Sequence, residues 1–185
     1  MGALGPALGV LELESLARGV VVADALVKKA AVRIVRAEAL TPGKYLLLFT
    51  GPVAEVDESF REGVRAAGAA LLDQLHLSQV ADGLARALIG DLPPGPADAT
   101  VGIVETNSVA SCVLACDTAL KHAEVRLTHL QLAKGIGGKG WFMVAGAQHD
   151  VEAALERAAA SVGDGLLVAT ELIQRPHADL RGPVL

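Results

Sequence analysis

The chain has 185 residues with 16 basic against 21 acidic side chains, a net charge of −5, and 52% hydrophobic but only 3% aromatic residues. That balance, with no Lys/Arg-rich segment carrying interleaved aromatics, argues against nucleic-acid binding. No apolar run is long enough to span a bilayer, and Met1 to Pro6 has neither the basic start nor the apolar stretch of a secretory signal, so a cytosolic protein without a membrane partner is expected.

Taken in chain order, Leu8 to Leu13 is a short apolar run that predicts a buried strand. Ser15 then stands where an N-cap hydroxyl would satisfy free backbone N–H groups, and Leu16, Val20, Ala23 and Val27 recur at helical spacing as the expected apolar face. Val32 to Ala37 and Tyr45 to Phe49 read as a strand pair around the loop Thr41-Pro42-Gly43-Lys44. A second helix carries Val56, Phe60, Val64 and Ala67 on one face, and Leu71 to Leu77 supplies a fourth strand.

Val80 to Ile89 predicts one extra short helix, and Asp91 to Thr100 has the Pro and Gly density of a linker. The same series then returns. Leu8 to Val35 matches Val101 to Thr128 with each residue displaced by 93: Gly9 answers Gly102, Glu12 answers Glu105, Ser15 answers Ser108, Asp24 answers Asp117, and Lys28 answers Lys121. After a two-residue insertion Gly43, Lys44, Gly51, Val56 and Gly68 match Gly138, Lys139, Gly146, Val151 and Gly163. Each copy reads strand, helix, strand, strand, helix, strand, the βαββαβ ferredoxin-like arrangement of the α+β (broadly α/β) class. The expected division is residues 1–90, a linker at 91–100, and 101–185 with a C-terminal tail.

The residues offer little chemistry. GIGGKG, Gly135 to Gly140, lacks the Ser or Thr and the following helix that a phosphate-binding Walker loop requires. The histidines at 76, 122, 129, 149 and 177 contain no i, i+4 pair, so no metal is expected. Cys112 and Cys116 are four apart on a predicted helix, poorly placed for a disulfide, and read as small core hydrophobes. Glu12 and Glu105 recur at a strand-to-helix junction, which suggests helix-end or backbone hydrogen bonding rather than acid catalysis. No nucleophile, base and orienting group recur together, so neither catalytic residues nor a cofactor are expected.

The carriers GVLELES with ADALVKKA, VGIVET with DTALKHAEV, the loops LTPGK and AKGIGGK, VAG after Trp141, and the late Arg175-Pro176-His177 closely resemble the tandem-domain, trimer-forming shell proteins of bacterial microcompartments. The likeness covers nearly the whole chain and points to the single-disc class found in propanediol-utilising microcompartments. It implies two BMC domains per chain, a homotrimer in which six modules form a pseudohexagonal tile, and residence in a microcompartment shell within the cytoplasm. Hexameric and pentameric shell proteins are the implied partners, with small metabolites passing through a central pore.

By position, the resemblance assigns the pore to Thr41, Pro42 and Gly43 and to Lys134, Gly135, Ile136, Gly137 and Gly138. It assigns contacts between tiles to Lys28, Lys121, Arg175 and His177. Some relatives place a cysteine where Thr41 stands, and three such thiolates hold an iron–sulfur cluster; a hydroxyl ring is a poor ligand for one, so no cluster is expected. A ring of Lys134 side chains would favour small anions. The alternative reading is a ferredoxin-like sensor that binds a small molecule between subunits, which would need a pocket with convergent polar groups.

Overall fold

The computed structural model describes residues 3–93, 95 and 99–180. The first copy runs β1 (Ala7–Leu13), α1 (Leu16–Lys29), β2 (Arg33–Leu40), β3 (Lys44–Gly51), α2 (Val53–Ala67) and β4 (Leu71–Leu77). A short helix α3 (Asp82–Leu88) follows where the extra helix was expected. The second copy runs β5 (Thr100–Thr106), α4 (Val109–His122), β6 (Arg126–Leu132), β7 (Gly140–Gly146), α5 (Gln148–Ser161) and β8 (Leu167–Ile173). Each copy makes a four-stranded antiparallel sheet, in the orders β2-β3-β1-β4 and β6-β7-β5-β8, so the duplicated βαββαβ reading holds.

Chain contacts group the protein into two compact units. One extends to Val80 and includes Ala133–Gly138; the other holds Ala81–Leu132 and resumes at Lys139. The helix α3 therefore packs with the second copy, on α4 and β6, although it follows the first in sequence.

Local signals explain most elements. Ser15 Oγ accepts the Arg18 amide at 3.2 Å and Ser108 Oγ accepts the Ser111 amide at 3.1 Å, so each first helix begins at its serine. All seven residues of β1 are buried, as expected of a central strand, and the one charged residue among its apolar ones is Glu12. On its helix-facing side Leu11, Leu13, Leu47 and Phe49 meet Val22, Leu26 and Val56 from α1 and α2.

The expected face of α1 is corrected by the structure at all but Ala23, which packs against the core. Gly19, Val22 and Leu26 are the buried positions, whereas Leu16, Val20 and Val27 are exposed, together with Val21. The cause is Gly19, which contributes nothing to an apolar pattern yet marks the closest approach to the sheet. A Cβ there would lie 2.2 Å from the Tyr45 ring. The second copy solves the same contact with the sizes exchanged: Cys112 occupies the place of Gly19 and Gly140 that of Tyr45, and a Cβ on Gly140 would lie 2.4 Å from Cys112 Cβ. In each copy one partner of the pair is glycine, which lets helix and strand approach closely at that point.

Candidate functional site

The loop between β2 and β3 is three residues long, Thr41, Pro42 and Gly43, all exposed, with the Gly43 amide donating to the Leu40 carbonyl at 2.7 Å. Gly43 has φ 99° and open space around it, so its backbone angle rather than crowding requires glycine. The counterpart, Ala133 to Lys139, is longer and places Ala133, Gly135, Gly137 and Gly138 all at positive φ. Lys134, Gly135 and Gly137 are exposed, Ile136 is half-buried and Gly138 is buried. Gly138 lies against the Thr41 carbonyl and the Lys44 stem, so the structure brings the two loops together.

Lys134 does not stand alone. It lines an open cavity of about 340 Å³ with Val35, Arg36, Ala37 and Glu38, in which Arg36 and Glu38 are 3.9 Å apart. The field there is mixed, with two cations and one carboxylate, rather than uniformly positive.

The two corresponding lysines differ in setting. Lys28 pairs with Asp24 at 2.6 Å and both are well exposed, whereas Lys121 pairs with an Asp117 whose side chain is 4% exposed. Asp117 also accepts the Ala81 amide at 2.8 Å with its other oxygen, fastening the start of α3. Arg175 is exposed at φ 52°, and His177 is exposed with its Nδ1 3.2 Å from the Asp179 amide. The register pairs Leu8 with Leu77 and Val101 with Ile173, a displacement of 96. Arg175-Pro176-His177 thus corresponds to Gln79-Val80-Ala81.

Glu12 and Glu105 are not helix-end groups. Each lies in the central strand of its copy and faces the lysine that follows the loop: Lys44 Nζ is 3.6 Å from the fully buried Glu12, and Lys139 Nζ donates to Glu105 at 2.8 Å. Sequence reasoning missed these pairs, although both members recur in the repeat. They tie each loop's exit to the middle of its sheet.

Cys112 and Cys116 are fully buried, as expected of core hydrophobes. Cys112 packs against Gly140, the residue at which the second loop enters β7. Burial first, then the neighbouring Cys112 and Asp117, push the Cys116 thiol well above its ordinary value. In the unfolded chain that thiol ionises from about pH 8.5 upward. Its contribution to stability is therefore whole below that pH and lost as pH rises beyond it. Chemical denaturation at about pH 8 and about pH 10 should show a larger loss of midpoint in the parent than in Cys116→Ala; equal losses would contradict the assignment.

Among the described residues no group of three or more His, Cys, Asp or Glu side chains is placed to hold a metal, and no helix is long and apolar enough to cross a membrane. The arrangement as a whole is two small-residue turns, each anchored by a Lys–Glu pair, on a duplicated antiparallel α+β module.

Such a duplicated module defines a tandem BMC-domain protein: the BMC domain model matches residues 7–80 and 100–176, and the chain belongs to that family. It is a bacterial microcompartment shell protein with a structural role, and its place is the microcompartment shell. It is 39% identical over 178 residues to the bacterial microcompartment shell protein PduT of Citrobacter freundii, covering 96% of each chain. Among solved structures it is similar to a microcompartment protein from Desulfitobacterium hafniense, with TM-score 0.85, 34% identity, and coverage of 95% of this chain and 98% of that one. A fused permuted hexameric shell protein of the RMM microcompartment shares the fold, with TM-score 0.62 at 22% identity, covering 84% and 80% of the respective chains.

Proposed function

We propose that this chain is a homotrimeric, non-enzymatic tile in which six BMC modules, residues 1–90 and 101–185 of each copy joined at 91–100, surround a central opening for small metabolites. Thr41, Pro42 and Gly43, with Lys134 and Gly135 to Gly138, line that opening. The supporting observation is that two loops at corresponding places are small, largely exposed, rich in left-handed backbone, and adjacent at Thr41 and Gly138. Backbones can crowd an axis only where side chains are small. Passage further requires weak binding, which turns made of glycine and amides supply.

Lys28, Lys121, Arg175 and His177 serve the outer edge, where hexameric and pentameric shell proteins join. The burial of Asp117 makes Lys121 the more rigid of the two lysines, so the edges of the tile are not equivalent. Sedimentation should give three copies of the 18.9 kDa chain, and mixing with a hexameric shell protein should give flat sheets or closed shells under the electron microscope. A chain that stays monomeric at all concentrations overturns the reading. In assembled shells, Lys134→Ala should lower the passage of anionic relative to neutral metabolites; an unchanged ratio removes Lys134 from selection.

A further inference from the structure

We propose that the exposed apolar face of α1 is the docking surface for the segment His177 to Leu180 of a second copy of this chain. The proposal deepens the trimer reading and rests on it, because it names which surfaces meet.

The argument comes from the repeat. Leu16, Val20, Val21 and Val27 are 44%, 58%, 52% and 41% exposed, and Leu16, Val20 and Val27 share one side of the helix. Their counterparts in α4 are Val109, Val113, Leu114 and Leu120, of which the first two are fully buried and the others half-buried. The corresponding helix is thus covered in one copy and bare in the other. The cover on the C-terminal half of α4 is α3, whose Leu84, Ala87 and Leu88 are buried, whose Gly83 sits over Leu120, and whose entry amide at Ala81 bonds Asp117 Oδ1.

That cover is the segment that follows β4, and the displacement of 96 fixed by strand register identifies its equivalent after β8. Ala81 corresponds to His177, Gly83 to Asp179 and Leu84 to Leu180. The post-β8 segment turns at Ala178–Leu180, just where α3 begins in the first copy. The receiving groups on α1 also match. Asp24 bonds Lys28 through Oδ2, as Asp117 bonds Lys121 through Oδ2, but its Oδ1 has no partner among the described residues, whereas Asp117 Oδ1 holds the Ala81 amide.

Docking a second copy would therefore place the His177 amide on Asp24 Oδ1, Asp179 beside Val27, and Leu180 among the valines that the isolated chain leaves bare. Each copy has one such face and one such segment, so the contact is heterologous and head-to-tail, and it closes a ring when the rotation permits.

The test is a cysteine pair, Val27→Cys with Asp179→Cys, oxidised in the full-length protein and run on a non-reducing gel. Both sites are exposed in the single chain, which leaves folding undisturbed. Species of two and three linked chains should form in the double variant and in neither single variant. A trimer by sedimentation without linked chains would overturn the docking assignment while leaving the trimer intact; a link confined within one chain would overturn it as well. A monomer at every concentration would remove both readings. Independently, Val20→Asp should weaken self-association by at least about tenfold, since it puts a charge into an apolar contact, and an unchanged association constant would count against the proposal.

Discussion

Phe49→Ala should cost the fold about 3–5 kcal/mol, near the top of the range for emptying a core position. Phe49 is 1% exposed and stands directly opposite Gly9 in the β1–β3 pairing. Its ring lies over the glycine: a Cβ on Gly9 would sit 2.3 Å from Phe49 Cζ. With no side chain opposite, nothing on β1 can lean into the space the ring leaves, and the cavity would persist. The reverse change, Gly9→Ala, overfills the same spot and should cost about 1–3 kcal/mol. Because the two share one volume, Gly9→Ala with Phe49→Leu should be less damaging than the separate effects added together. Denaturation midpoints at fixed protein concentration measure all four variants. A loss below about 1 kcal/mol for Phe49→Ala would mean that Phe49 does not organise this face of the sheet.

The corresponding glycine of the second copy shows how far sequence can carry such an argument. Gly102 is opposite Val144, and the space above it is filled from α5 by Val151 and Leu155 rather than from a neighbouring strand. The repeat announces the glycine in both copies; it does not announce which element fills the gap. Strand and helix order was legible because a central strand is apolar but for one residue and because Ser15 and Ser108 mark helix starts. The inward face of α1 was not, since its pivot, Gly19, has no side chain for a periodicity to register. The unequal exposure of α1 and α4 was hidden for a related reason: its cause, α3, lies outside both helices. The loops were visible as glycines, yet Ala133 at φ 58° gave no such sign. Glu12, Glu105, Lys44 and Lys139 were each visible in the repeat, but a pairing across strands depends on register, which a single sequence does not state.

That register supports an expectation in which distance and burial point in opposite directions. By distance alone Lys139–Glu105, at 2.8 Å, outranks Lys44–Glu12, at 3.6 Å. Burial reverses the order. Glu105 and Lys139 side chains are 36% and 42% exposed, so water takes over when the partner is removed, and Lys139→Met should cost no more than about 1 kcal/mol. The Glu12 side chain is 0% exposed and the Lys44 side chain 25%, so Lys44→Met removes one compensating charge from a carboxylate that water does not reach. Breaking a fully buried pair costs about 3–5 kcal/mol; the partial exposure of Lys44 brings the expected loss to about 2–4 kcal/mol. Adding Glu12→Gln should restore much of it, because the neutral amide keeps the volume and sheds the desolvated charge. Lys44 is also the residue at which the Thr41-Pro42-Gly43 loop enters β3, so its loss should speed hydrogen exchange at the β3 amides next to that loop. Equal costs for Lys44→Met and Lys139→Met would show that contact distance, not burial, sets the strength of the anchors beneath the two loops.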